Sequence, residues 1–178
     1  KGLIGELTNV DCRIRLGSLE VNIITEEFLS SLKKLKDFAP HFHLSLQSGS
    51  TAVLKTMNRR YTAEEFLNKC ELIRKFFPSA ALTTDIIVGY STETEENFQE
   101  TLDTARKAAF ADIHCFPYSR REGTAGAKLK EIPYAVKAER TDRLLKLKAE
   151  LKEAFIKKNL GEIHELIPEE TADGYLVG

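Results

Sequence analysis

Four strand-like segments recur along the chain, and each carries polar residues where the strand hands over to its loop: Ser18 and Glu20, Gln47 with Ser48, Asp85 with Gly89, and Tyr118 with Arg120. Helical stretches separate them at roughly 30- to 40-residue intervals, the pattern of βα units around a parallel sheet. In such sheets the ligand sits outside the carboxyl ends of the strands, so polar residues repeated there point to one shared pocket. A polar small molecule is the occupant they suit.

The local patterns place the elements. Residues 12–18 alternate polar and apolar as a strand does, and Thr25-Glu26-Glu27 opens an amphipathic helix to about Asp37. In 42–47, Phe42, Leu44 and Leu46 share one face while His43, Ser45 and Gln47 share the other. A short helical turn near 51–57 precedes a capping box, Thr62-Ala63-Glu64-Glu65, for a helix to about Phe77, with Pro78 marking its exit. Residues 81–89 are rich in β-branched side chains, and Thr92-x-x-Glu95 reads as a second capping box, for a helix to about Ala109. Residues 112–118 form the fourth strand. Pro133 opens a long helix to about Asn159, with Val136, Leu144, Leu147, Leu151 and Phe155 near one stripe and Gly161 as its stop.

Two closures of the sheet satisfy this order, an open doubly wound sheet or a barrel. Strands covered by helices on both faces read as continuous apolar runs. Here one face instead carries Arg13, Arg15, His43, Ser45, Gln47, Thr83, Asp85, Asp112 and His114. A face that polar is better explained as the lining of a wide or incomplete barrel.

Composition sets outer limits. A chain of 178 residues that is 42% hydrophobic has apolar mass for one core. No apolar run approaches the ~20 residues needed to cross a membrane and no signal-peptide pattern opens the chain, so a cytoplasmic location without a membrane partner is expected. Lys and Arg total 26 against 27 Asp and Glu, so any RNA contact must come from a local patch. Cys12, Cys70 and Cys115 are far apart, which argues against a disulfide framework and a complete metal site. Residue 1 is Lys and 173–178 read as the opening of another strand, so the chain is expected to be a piece of a longer protein.

One buried polar group in a strand is ordinarily a satisfied structural residue; four strands each supplying one call for a ligand. Ribose hydroxyls, an amine and a carboxylate would need carboxylate acceptors, an amide and a guanidinium, and Glu20, Asp85, Gln47 and Arg59 are that inventory. Around them stand Leu46-Gln47-Ser48-Gly49-Ser50, Met57-Asn58-Arg59-Arg60-Tyr61-Thr62, Thr84-Asp85-Ile86-Ile87-Val88-Gly89 with Glu93-Thr94-Glu95, and Tyr118-Ser119-x-Arg121-x-Gly123-Thr124. These runs, with Ser18-Leu19-Glu20, strongly resemble the radical S-adenosylmethionine methylthiotransferases, over nearly the whole chain from about residue 10.

The resemblance implies an α/β fold, a partial, open TIM-like barrel with parallel strands and outer helices, of which residues 1–160 are the C-terminal portion. It makes 161–178 a linker and the start of a truncated β-rich RNA-binding domain. It puts S-adenosylmethionine over the barrel mouth, with Glu20 on the ribose, Gln47 and Asp85 facing the nucleoside, and Arg59 on the methionine carboxylate. Ser48 joins this set, Gly89 allows close backbone approach, and Phe116 and Tyr118 lie along the adenine. The family's CxxxCxxC motif for a four-iron, four-sulfur cluster is missing, so cluster ligands are expected outside this chain, which alone would be inactive and supplies no catalytic residue. The loop from His114 to Thr124 is most similar to the branch that modifies threonylcarbamoyladenosine in tRNA, with Arg120 and Arg121 facing a tRNA phosphate or the base's carboxylate. The implied partners are tRNA and an electron-donor protein. A branch acting on a ribosomal protein, and a non-catalytic ligand- or RNA-binding module on the same fold, are the alternatives.

Overall fold

The computed structural model describes residues 2–165 and 167–177; Lys1, Leu166 and Gly178 lie outside it, the last two within the expected C-terminal domain start. A short helix α1 (Gly2–Leu7) leads to β1 (Ser18–Leu19), α2 (Glu26–Leu32), β2 (His41–Leu44), α3 (Thr51–Thr56), α4 (Ala63–Phe76), β3 (Ala81–Val88), α5 (Glu95–Ala108), β4 (Asp112–Pro117) and α6 (Tyr134–Asn159). Strands β1 to β4 pair in sequence order and all in parallel. The hairpin β5 (Glu170–Ala172) and β6 (Tyr175–Val177) follows as a separate antiparallel pair.

Strand β3 is the spine of the sheet, and its pleat sorts side chains by face. Leu82, Thr84, Ile86 and Val88 are buried, whereas Ala81, Thr83, Asp85 and Ile87 face the half-exposed side. The buried face meets Phe42, Leu44, Phe66, Ile73, Phe98, Leu102 and Phe110 in one core under the helices. Each fully buried Phe or Leu there contributes roughly 1.5–3 kcal/mol. Thr84 is tolerated in this core because its hydroxyl donates to Leu44 O (2.6 Å) and accepts from Leu46 N (3.1 Å). The expected division into an apolar and a polar face thus holds, and the parallel sheet with helices outside one face is a partial barrel wall.

The capping box of α4 forms as expected: the Thr62 hydroxyl accepts from Glu65 N at 3.1 Å and the Glu65 carboxylate accepts from Thr62 N at 2.7 Å. Four boundaries differ from the sequence reading. The strand expected over 12–18 shrinks to a bridge between Ile14 and Phe38 plus the two residues of β1. This segment is the sheet edge, and Ile14 exhausts its backbone on Asp37 O and Ala39 N. Helix α2 stops at Leu32 rather than near Asp37, since Asp37 is needed there and also holds Arg13 at 3.0 Å. Strand β2 ends at Leu44, and Gln47 rejoins the sheet through a bridge to Ile86. The cap of α5 is Thr94 with Asn97, not Thr92 with Glu95, because Glu93 turns inward and keeps the chain out of the helix until Thr94. Helix α6 ends just before Gly161, and its stripe holds, with Leu144 and Leu147 fully in the core and Lys137 and Arg140 buried on the same seam.

Candidate functional site at the barrel mouth

Beyond the carboxyl ends of β2, β3 and β4 opens a cavity of about 600 Å³, lined by Gln47, Asn58, Arg59, Asp85, Tyr90, Phe116, Tyr118 and Arg121 among others. That size suits a small-molecule ligand. Gln47 is held by both neighbours of its peptide: its N–H donates to Asp85 O at 2.9 Å and its C=O accepts from Ile87 N at 2.8 Å. The price is a left-handed backbone, φ +64°, which is uncommon for a residue with a Cβ. Arg59 is placed by the end of α3, where its N–H reaches back to Leu54 O at 2.9 Å while Asn58 takes φ +59°, a left-handed helix stop. Its guanidinium then meets Glu20 Oε1 at 3.0 Å, across 39 residues of sequence. Tyr61, buried in the core, holds the end of β2 by donating to Ser45 O at 2.6 Å, and burial pushes its phenol up to about 12. Tyr90 and Tyr118 pack edge to face, centroids 5.0 Å apart, and half-exposed Phe116 adds an apolar wall.

Glu20, Gln47, Arg59 and Asp85 therefore converge at one mouth, Glu20 through its pair with Arg59. Asp85 lines the wall between this cavity and a second one of about 490 Å³ on the polar face of the sheet. Its carboxylate is turned to the second: Oδ2 lies 3.2 Å from His43 Nε2 and Oδ1 lies 3.3 Å from His114 Nδ1. Behind His43, Thr83 Oγ1 is 3.0 Å from His43 Nδ1 and 2.9 Å from His41 Nε2. Arg15 Nε donates to His41 Nδ1 at 3.2 Å. Burial, then Arg15, His43 and His114, hold the His41 ring below its ordinary pKa, which keeps it the neutral acceptor this contact requires. The side-chain alternation showed these groups on a polar face, but the grouping of His43, Asp85 and His114 depends on strand register and was not legible.

Three expected binding residues occupy other positions. Ser48 is fully buried, its hydroxyl 3.3 Å from Thr101 Oγ1 and accepting from Ser50 N, so it fixes the loop to α5 rather than lining the cavity. Gly89 is a glycine because φ is +75° and because a Cβ would lie 2.4 Å from Lys137 Cγ; the close approach is to α6, not to a ligand. Arg120 donates to Leu129 O at 3.0 Å and ties down its own loop, whereas Arg121 lines the cavity. Asn58 and Tyr90 line it too, without having been singled out by sequence; Asn at a helix end was the available signal for the first. The cysteines do not fit a cluster: Cys12 is exposed, Cys70 lies in the core of α4 and Cys115 on β4. Burial pushes the Cys70 thiol up to about 12 and that of Cys115 up to about 11, the reverse of what thiolate ligands need.

A parallel sheet wall with its cavity at the strand carboxyl ends defines the class: an open (βα) barrel with a cavity at its mouth. The fold agrees with that of coproporphyrinogen III oxidase (HemN) from Escherichia coli, a radical SAM enzyme, at a TM-score of 0.67 over 84% of this chain and 36% of that one, with 18% identity. The family description "Radical SAM superfamily" matches residues 4–105, and the chain belongs to that superfamily. It is 40% identical over 159 residues to the threonylcarbamoyladenosine tRNA methylthiotransferase MtaB of Bacillus subtilis, covering 89% of this chain and 35% of that protein. It is 41% identical over 167 residues to the tRNA-2-methylthio-N(6)-dimethylallyladenosine synthase of Caldicellulosiruptor saccharolyticus, covering 92% of this chain and 34% of that protein. The chain thus spans about a third of the length of these relatives. Among the described residues no helix is long and apolar enough to cross a membrane.

Proposed function

We propose that this chain is the S-adenosylmethionine-binding wall of a tRNA methylthiotransferase, an enzyme that adds a methylthio group to a modified adenosine. The observation that carries the reading is that Arg59 and Gln47 line one cavity beside Phe116 and Tyr118, with Glu20 brought to Arg59 at 3.0 Å. Their chemistry fits the ligand: a carboxylate acceptor for ribose hydroxyls, an amide that both donates and accepts, a guanidinium for the methionine carboxylate, and aromatic rings for adenine. Asp85 contributes through its backbone, which fixes Gln47, more than through a carboxylate turned to the histidines. When bound together with a reducing iron–sulfur cluster, S-adenosylmethionine supplies the radical that opens the target C–H bond. The cysteines of this chain are not placed to hold that cluster, whose ligands we assign to the remainder of the enzyme and whose reduction we assign to a separate electron-donor protein.

Arg121, at the cavity rim, is the residue suited to the carboxylate of a threonylcarbamoyl group or to a tRNA phosphate, since a planar guanidinium pairs with both. The loop from His114 to Thr124 that carries it favours the threonylcarbamoyladenosine branch. Residues 161–178 are read as a linker and the start of a β-rich RNA-binding domain. The test compares tRNA nucleosides, by mass spectrometry, from cells with and without the gene. Loss of the 2-methylthio group from threonylcarbamoyladenosine is expected. Loss from the dimethylallyl nucleoside instead would move the protein to the other branch, and an unchanged nucleoside set would refute a tRNA substrate.

A further inference from the structure

The second cavity brings one side chain from each of three adjacent strands to a point. His43 on β2 is a register partner of Thr83, two residues before Asp85 on β3, and Asp85 is the register partner of His114 on β4. One donor atom from each of His43, Asp85 and His114 lies within 4.8 Å of the others. The two nitrogen–oxygen separations, 3.2 and 3.3 Å, exceed the roughly 2.7–2.9 Å of a charge-assisted hydrogen bond. His43 approaches Oδ2 and His114 approaches Oδ1, so the carboxylate presents both of its oxygens to the space between the two imidazoles.

The surroundings are those a metal ligand needs. A ligating imidazole donates its other N–H to a fixed acceptor, and Thr83 Oγ1 stands 3.0 Å from His43 Nδ1. Because His41 Nδ1 accepts from Arg15, its Nε2–H donates to Thr83, which retains a second lone pair for His43 Nδ1–H. In the tautomer with Nδ1–H on Thr83, His43 Nε2 is a bare lone pair facing the Asp85 carboxylate, and a cation fits between them. Without metal, the Thr83 hydroxyl turns to Nδ1 and a proton on Nε2 takes the cation's place. His43 is buried and rigidly placed, while the His114 side chain is 54% exposed toward the cavity, leaving one coordination position open. Two imidazoles, one carboxylate and an open position form a donor set that suits zinc.

We propose that His43, Asp85 and His114 form a mononuclear zinc-type site in the barrel, separate from any iron–sulfur cluster, whose open position takes an oxygen ligand such as a carboxylate or phosphate. Binding replaces the Nε2 proton of His43 and so releases it. The whole chain, freed of metal by a chelator, is titrated with zinc by calorimetry in buffers of different ionisation enthalpy, and with cobalt by visible absorption. One equivalent should bind with proton release, and the cobalt spectrum should be tetrahedral. His114→Ala, at an exposed position, and Asp85→Asn should each weaken zinc by more than about 100-fold, beyond the 10–100-fold typical of outer-shell changes, and Thr83→Val by about tenfold. Cys12→Ser with Cys115→Ser should bind as the wild type does. Circular dichroism on each variant shows that the fold is kept, and His114→Ala stands as the decisive variant should Asp85→Asn unfold. No zinc binding at millimolar concentration, or binding unchanged in His114→Ala, overturns the proposal.

Discussion

Gln47 shows at the scale of one residue how the site was both readable and not. Its place at the end of an alternating strand marked it as a ligand-facing residue. Its left-handed backbone was not readable, since that comes from two bonds to β3, 38 and 40 residues further along. A side chain at φ +64° costs roughly 1–2 kcal/mol relative to glycine, less the ~0.5–1 kcal/mol glycine loses in unfolded-state entropy. Gln47→Gly should therefore raise stability by up to about 1.5 kcal/mol in urea denaturation, with Gln47→Ala giving no such gain. A Gly variant less stable than wild type would show that the Gln47 side chain itself holds the loop. Ser48 teaches the complementary lesson: next to Gln47 in sequence, it faces the opposite way, into α5.

Among the elements, α6 is tied to the β3–α5 loop by a buried charge pair invisible to local patterning. Arg140 donates to Glu93 Oε2 at 2.8 Å and to Glu93 O at 3.1 Å, and Gly89 N donates to the same Oε2 at 2.9 Å. Glu93 Oε1 is buried with no hydrogen-bond partner among the described residues. Burial accordingly raises the Glu93 carboxyl above its ordinary 4.5, the bonds from Gly89 and Arg140 only partly opposing it. The folded state then binds this proton more tightly than the unfolded chain does. The stability Glu93 contributes is full below pH 4.5 and declines as pH rises through its folded pKa. Glu95, held down first by the Arg143 hydrogen bond, acts in the opposite sense, so the wild-type value must be compared with Glu93→Gln. The difference in unfolding free energy, wild type minus Glu93→Gln, should fall across that window. A flat difference would show that Glu93 ionises in the fold as it does in water. The same inward turn of Glu93 explains why Thr92 could not cap α5, whereas Thr62, with no such long-range demand on its loop, caps α4 as its local sequence says.

For the whole molecule, the alternating faces of β2 and β3 were sufficient to predict a barrel wall with a polar lining, because burial on one face imposes period two. What lay beyond reach was register and closure: which histidine stands opposite Asp85, and that Glu20 and Arg59 meet. The meeting of Glu20 and Arg59 underlies the central proposal, that distant segments assemble one S-adenosylmethionine site at the mouth. Calorimetric titration of S-adenosylmethionine into the full-length, cluster-loaded protein tests it most directly. Arg59→Ala should weaken binding by about 2 kcal/mol, the scale of a lost hydrogen bond to a charged group. Arg59→Lys should recover only part of that loss, since an ammonium lacks the planar fork. Unchanged affinity in Arg59→Ala would contradict the account and leave Arg59 as the structural partner of Glu20.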